Sequence, residues 1–140
     1  MSRDRLPRSL LTGWSTDVAP ALLGATVVSV LGGARTAVRL TEVEAYRGEQ
    51  DPGSHAFRGR TRRTEVMFGP AGRAYVYFTY GMHWCMNVVT GPDGTASAVL
   101  LRAGEVVDGL PEAQARRPGV REQLDAVVAD LAAQRAWASR

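Results

Sequence analysis

At 140 residues, 45% of them hydrophobic and 22% charged, the chain is large enough for one domain over residues 1–140, and its composition excludes a disordered chain. The net charge is +3 and all 17 basic residues are arginine, which excludes covalent catalysis through a lysine Schiff base. Cys85 is the only cysteine, so an internal disulfide is excluded and a reducing, cytoplasmic location is expected.

The chain begins with a pattern typical of a short helix followed by a strand. Asp17 is placed to cap a helix over residues 18–23, which Gly24 would end. Residues 26–31 then predict a strand, and Gly32-Gly33 predicts a turn into the next one. No apolar run is long enough to span a bilayer, so no membrane association is expected.

Residues 36–46 predict a second strand with an acidic end. Because successive side chains of a strand point to opposite faces, the even-numbered residues share one face and the odd-numbered residues share the other. The even-numbered face changes from apolar to acidic towards Tyr46. A carboxylate beside an aromatic at a strand end is well placed to act as a general base. The alternative is a structural ion pair between Glu42 or Glu44 and an arginine, and we expect one of the two to form such a pair.

A long polar connection follows over residues 47–64. Connections of this length inside a compact domain are usually functional. This one contains His55, but His55, His83 and Cys85 show no recognisable zinc spacing. No metal and no other cofactor is predicted.

Basic residues cluster between positions 56 and 74, where Glu65 is the only acid. The arginines are Arg58, Arg60, Arg62, Arg63 and Arg73. Guanidinium groups match phosphate oxygens, so the cluster favours contact with a nucleic-acid backbone. The alternative is an ordinary solvated face.

Residues 73–87, RAYVYFTYGMHWCMN, predict a β-hairpin with strands over 74–79 and 82–89 and a tip at Tyr80-Gly81. Tyr75 and Tyr77 would share one face, and Tyr80 would protrude where it is poorly placed for a core. One interpretation is that the aromatic residues of this hairpin belong to the core. The other is that the hairpin contacts nucleic acid: a protruding aromatic would act as a wedge that unstacks a base step, and flat aromatics facing a cavity would hold an extruded base.

The remaining chain predicts one more strand and two helices. A turn over residues 91–94 leads into a buried strand over 96–102, where Arg102 would emerge at the strand end, as Glu44 does. Residues 111–117 predict a short helix, and apolar residues at helical spacing predict an amphipathic helix over 119–137.

Four segments resemble, in the same order and at similar spacing, motifs of the alkyladenine (3-methyladenine) DNA glycosylase family. They are TEVEAY (41–46), His55 with its following Arg-Gly run, YVYFTYGMHWCMN (75–87) and VLLRAGE (99–105). The coincidence of four motifs is specific where one alone would be weak. The resemblance covers about residues 10–118, and residues 119–140 are divergent.

This resemblance implies an α+β fold, a single mixed domain built on a curved, mainly antiparallel sheet with a protruding β-hairpin and flanking helices. It implies a DNA repair enzyme that flips alkylated or deaminated purines from duplex DNA and hydrolyses the N-glycosidic bond, without metal or cofactor. Glu44 is similar to the general base that activates water, and Arg102 to the residue that holds Glu44 and its water.

The resemblance also implies how the base is held. Tyr46, His55 and Tyr77 resemble the walls that contact the flipped base. Asn87 is similar to the residue that obstructs normal purines bearing an exocyclic amino group, and Tyr80 to the wedge that fills the gap in the duplex.

Two hypotheses follow, because members of that family continue with a Gly-Pro-containing motif and further strands that we do not find after Arg117. The first is a working monofunctional glycosylase, a monomer in the cytoplasm, at the nucleoid if bacterial, that acts on double-stranded DNA containing damaged purines. The second is a truncated, non-catalytic remnant that binds DNA.

Overall fold

The computed structural model describes residues 5–81 and 83–116, which form one five-stranded sheet with two α-helices. The strands are β1 Thr26–Leu31, β2 Ala34–Tyr46, β3 Ala74–Thr79, β4 His83–Thr90 and β5 Ser97–Asp108, and the helices are α1 Ser15–Leu22 and α2 Leu110–Ala115. The sheet order is β1-β2-β5-β4-β3. This curled antiparallel sheet confirms the predicted mixed α+β class. The predicted helix over 119–137 lies outside the described residues.

The chain divides into two compact units. The larger consists of Met1–Val27 and Arg39–Glu105, and it contains all the residues named above as candidates for a site. The smaller consists of Val28–Val38 and Val106–Arg140. In the smaller unit, Gly32 and Gly33 both have positive φ, 59° and 80°, which is the conformation of a tight hairpin turn. The expectation of a single domain stays a prediction.

The core of the larger unit consists of two apolar clusters that meet at β5. Ala98 belongs to one cluster, with Tyr75 and Val89, whereas Val99 belongs to the other, with Leu40. Since successive residues of a strand point to opposite faces, β5 carries one cluster on each side. β5 is therefore covered on both faces at this end, and it is a rigid support for its neighbours.

The predicted hairpin is confirmed. β3 and β4 pair antiparallel from Ala74↔Val88 to Thr79↔His83. The turn is at Tyr80-Gly81, where φ is 51° and 67°. Tyr80 is 88% exposed, so it protrudes as expected. Met82 lies outside the described residues.

The predicted start of the first helix is wrong, because α1 begins at Ser15 and Asp17 is not its cap. The backbone N–H of Ser15 donates to Ser97 Oγ (2.9 Å), and Ser15 Oγ donates to the carbonyl of Tyr46 (2.8 Å). These partners are distant in sequence, so no local capping pattern indicates them.

The predicted end of the last strand is also wrong. β5 runs to Asp108, so Arg102 lies in mid-strand rather than at an end. Within the larger unit Arg39 on β2 forms an ion pair with Glu105 on β5, and cross-strand pairs of opposite charge favour strand extension. A pattern in one strand cannot reveal its partner's charges, which is why the extension was missed.

Alternation along β2 is interrupted between Leu40 and Val43. Both residues pack in the same apolar cluster, together with Ala45, although strict period two would place Leu40 on the opposite face. The predicted even-numbered face is therefore not continuous. β2 also begins at Ala34, two residues before the predicted start.

A substitution at Gly48 tests how closely the chain packs against Ala96 just after the end of β2. Its φ is +61°, and a Cβ there would lie 2.9 Å from the carbonyl carbon of Ala96 and closer still to its oxygen. Gly48→Ala should lower the free energy of unfolding by about 2–4 kcal/mol, from left-handed strain plus overlap. Gly24→Ala is the matched control, since its φ is +80° but no atom lies within 4 Å, and it should cost about 1 kcal/mol. Equal losses in urea unfolding would contradict this packing.

Candidate active site

Glu44 is held by a donor on each of its carboxylate oxygens. Arg102 Nη1 lies 3.1 Å from Oε1, and the Tyr46 hydroxyl donates to Oε2 at 2.6 Å. Glu42 lies 3.6 Å from Arg102 Nε. Arg102 therefore contacts both carboxylates and does not distinguish them. The distinction comes from Tyr46 and from exposure, since the Glu44 side chain is 37% exposed and that of Glu42 63%.

An aromatic cavity lies beside this carboxylate. It is lined by Tyr46, Gly53, Ser54, His55, Met67, Tyr75, Tyr77 and Asn87. The structure thus brings together all four residues that the resemblance assigned to base contact: Tyr46, His55, Tyr77 and Asn87. β2, the 47–64 connection and the β3–β4 hairpin each supply part of the wall.

The cavity is small in this structure. Its volume is about 30 Å³, enough for water but too small for a purine. The ring centroids of His55 and Tyr77 are 4.6 Å apart, whereas a flat base between two rings needs about 7 Å. A purine could enter only if a wall moved. His55 is the exposed member of this pair, and Nδ1 makes one hydrogen bond, with the hydroxyl of Tyr75 at 3.0 Å.

Two of the three tyrosines of the wall, Tyr46 and Tyr77, keep their protons at neutral pH. The hydrogen bond to Glu44, with burial second, raises the pKa of Tyr46 to about 12. Burial, followed by the thiol of Cys85 directly across the hairpin, raises the pKa of Tyr77 to about 12. Both phenols are therefore neutral hydrogen-bond donors when the site is at physiological pH.

Asn87 is a buried wall residue, 3% exposed. Its Nδ2 donates to the carbonyl of Tyr75 at 3.1 Å, and Tyr75 is its direct partner in the hairpin register. The side chain is therefore tied to the hairpin backbone, and it cannot give way to an entering group without loss of a buried hydrogen bond.

An arginine-lined cleft of about 1010 Å³ lies on the other side of Tyr75. Four arginines line it: Arg60, Arg62, Arg63 and Arg73. Arg60 stacks on Phe68 at 4.9 Å and Arg63 on Tyr77 at 5.6 Å. Arg58 is exposed in the same connection, but it does not line the cleft. Four of the five clustered arginines therefore share one surface.

The outer face of the hairpin is apolar and exposed. Phe78 and Trp84 stack at 4.9 Å between centroids, and Trp84 is 71% exposed. Val76 and Met86 continue this face. The two faces of the hairpin thus differ, one lining the cavity and the other open to solvent.

Some residues of the cavity were missed from the sequence. Tyr75 lines the cavity and holds His55; its period-two spacing from Tyr77 was the signal that could have identified it. Gly53, Ser54 and Met67 also line it, and no local pattern distinguishes them from ordinary loop residues.

The described residues contain no group of three or more His, Cys, Asp or Glu side chains arranged to hold a metal ion. Their helices are all shorter or less apolar than a bilayer crossing requires.

The fold and the site define a mixed α+β protein with an aromatic cavity and a carboxylate that is hydrogen-bonded to one of its wall residues. The family model of methylpurine-DNA glycosylase matches residues 10–133, and the chain belongs to this family. Among curated proteins, it is 56% identical over 123 residues to a "Putative 3-methyladenine DNA glycosylase" of Streptomyces avermitilis, a match that covers 88% of this chain and 58% of that protein.

A relative of the same name from Frankia casuarinae is 63% identical over 105 residues, which is 75% of this chain and 48% of that protein. A third, from Nocardia farcinica, is 61% identical over 112 residues, 76% of this chain and 51% of that protein. The chain therefore spans about half the length of the curated relatives it matches.

The titration of His55 tests the electrostatics of the cavity. Burial, followed by the nearby charge of Arg63, lowers the pKa of His55 from its ordinary value of 6.5. Below pH 6.5 the unfolded state therefore binds more protons than the folded state. The free energy of unfolding should decrease as the pH is lowered from there to the lowered pKa of His55 in the folded state. In an NMR titration, His55 should have its midpoint below 6.5.

Arg63→Gln should raise that midpoint only part of the way to 6.5, because burial is the larger cause. Arg58→Gln, an exposed arginine of the same connection, should leave it in place. A midpoint at or above 6.5 in the parent chain would contradict the partial desolvation of this ring in the cavity wall.

Proposed function

We propose that this chain is a monofunctional DNA base-excision glycosylase that flips a damaged purine from duplex DNA and hydrolyses its N-glycosidic bond. The observation that carries the proposal is the Glu44 carboxylate, which is contacted by Arg102 on one oxygen and on the other by Tyr46, a wall residue of the aromatic cavity. Family membership supports the same reaction. The substrate would be chromosomal DNA in the cytoplasm, and no cofactor would be required.

In the proposed reaction Glu44 takes a proton from water as the water oxygen bonds to C1′ of the sugar. The bond from C1′ to the base nitrogen breaks, and its electron pair leaves with the base. An alkylated purine that carries a positive charge departs neutral, so it needs no proton from an acid partner, unlike the leaving group of a sugar hydrolase. The absence of lysine leaves only the α-amino group for Schiff-base cleavage of the backbone.

Selectivity would come from the walls of the cavity. A cationic base is attracted to the π faces of Tyr46 and Tyr77, and it meets no repulsion from His55, whose lowered pKa keeps the ring neutral at pH 7. Asn87, tied to the hairpin backbone, would obstruct normal purines that carry an exocyclic amino group. Damaged or mismatched bases are also easier to extrude.

The DNA would be held by two further features of the larger unit. Tyr80, exposed at the hairpin tip, is placed to enter the emptied base stack as a wedge. The arginine-lined cleft is placed to contact backbone phosphates through Arg60, Arg62 and Arg63, with Arg73 as a further contact. Arg58 would contact the backbone from outside the cleft.

A non-catalytic DNA-binding protein is the second candidate. Two observations favour it: the small volume of the cavity, about 30 Å³, and the match to about half the length of the relatives. Such a protein would bind duplex DNA through the cleft and release no base.

Substitutions of the two neighbouring glutamates test the proposed base. Glu44→Gln keeps the shape of the side chain but removes its basicity, so single-turnover base release should fall by about 10²- to 10⁴-fold. Glu42→Gln, the matched control, should retain release. Release is measured as abasic sites in a duplex carrying one 3-methyladenine. Loss of release in Glu42→Gln but not in Glu44→Gln would reverse the assignment, and no release by the parent chain would favour the second candidate.

The salt dependence of DNA binding tests the cleft. Log affinity should fall with log salt by about 0.9 for each phosphate contact. Arg62→Gln should reduce this slope by about 0.9, and Arg62 makes no ring contact that the substitution would also remove. Arg39→Gln is the control, because Arg39 pairs with Glu105 away from the cleft. An identical slope in parent and Arg62→Gln would exclude Arg62 from the interface.

A further inference from the structure

We infer that Tyr46 is a positioning residue, whose hydroxyl fixes the Glu44 carboxylate in the orientation needed to accept a proton from water. The inference rests on the proposed function, in which Glu44 is the general base. The aromatic ring of Tyr46 forms part of the cavity wall, and its hydroxyl would have this second, separate role.

The geometry of the pair is that of a strong hydrogen bond. Glu44 and Tyr46 are two residues apart on β2, so their side chains leave the same face of the strand. The O–H···O distance of 2.6 Å lies in the range of charge-assisted bonds between a hydroxyl and a carboxylate. The raised pKa of Tyr46, with this hydrogen bond as its largest cause, agrees with the geometry.

Arg102 alone would leave the carboxylate free to rotate. Its guanidinium is divided between Glu44, through Nη1, and Glu42, through Nε, so it contacts Glu44 at one oxygen only. A single contact does not fix the plane of a carboxylate, whereas one donor on each oxygen does. Each oxygen keeps a further acceptor position for water, and catalysis depends on such a positioned reactant.

Tyr46 can serve as a reference point because its own backbone is fixed. Its carbonyl accepts a hydrogen bond from Ser15 Oγ at 2.8 Å, and Ser15 is fully buried. Buried hydrogen bonds of this kind are costly to break. The hydroxyl is therefore presented to Glu44 from an anchored strand end, not from a loop.

Tyr46→Phe separates the two roles, since it keeps the ring and removes only the hydroxyl. We expect the single-turnover rate constant to fall by about tenfold to a hundredfold. The dissociation constant for the lesion duplex should change by less than about threefold, because the stacking wall remains. Tyr46→Leu should weaken both rate and affinity. An unchanged or faster rate in Tyr46→Phe would overturn the inference, and so would a loss confined to affinity.

A second measurement does not depend on activity. In a ¹³C-tyrosine NMR titration the phenol of Tyr46 should remain protonated well above pH 10. Glu44→Gln should lower its midpoint towards 10, though not fully, because burial and the weaker influence of Tyr77 and Asp51 remain. Glu42→Gln should leave the midpoint unchanged.

The two measurements separate the inference from the proposed function. If the parent chain releases no base but Glu44→Gln lowers the pKa of Tyr46, the proposed glycosylase activity is refuted and the hydrogen-bonded pair of Tyr46 and Glu44 is supported. A midpoint that is equal in parent and Glu44→Gln would refute the pair, whatever the activity.

Discussion

A buried polar network at the end of β2 is the constraint on which the rest of the site depends. Ser15 bonds through its hydroxyl to the carbonyl of Tyr46 and through its N–H to Ser97, and Ser97 bonds to Thr90 at 2.9 Å. Three of these residues, Ser15, Ser97 and Thr90, are fully buried. Because unpaired polar groups are costly there, breaking any of these bonds is unfavourable. It ties α1, β4 and β5 to the strand end that carries Glu44.

The walls of the cavity differ in how firmly they are held. Tyr77 and Asn87 belong to paired strands, whereas His55 belongs to the long connection and makes one side-chain hydrogen bond. Residues held by strands are positioned more rigidly than residues on loops. Under the proposed function, a purine entering the cavity of about 30 Å³ would displace the His55 connection, the wall that no strand pairing holds.

Local patterns predicted those parts of the fold that local interactions decide. At the hairpin tip, Tyr80 and Gly81 both have positive φ values. The residue patterns before and after the tip each predict one strand, and each forms one. The start of α1 and the length of β5 depend instead on partners far along the chain, such as Ser97 and Glu105, which no single-segment pattern contains. The resemblance identified four of the eight cavity residues, but it could not give the hydrogen bond between Tyr46 and Glu44, which depends on side-chain orientation.

The most direct test of the central claim is whether this chain alone, about half as long as its relatives, releases a damaged base. The purified chain is incubated in excess with a duplex that carries one 3-methyladenine, and abasic sites are counted against an undamaged duplex and against the lesion duplex without protein. The claim predicts abasic sites at the lesion, formed faster than in the protein-free control, and none in the undamaged duplex. Tight binding of the lesion duplex with release no faster than in the protein-free control would contradict it.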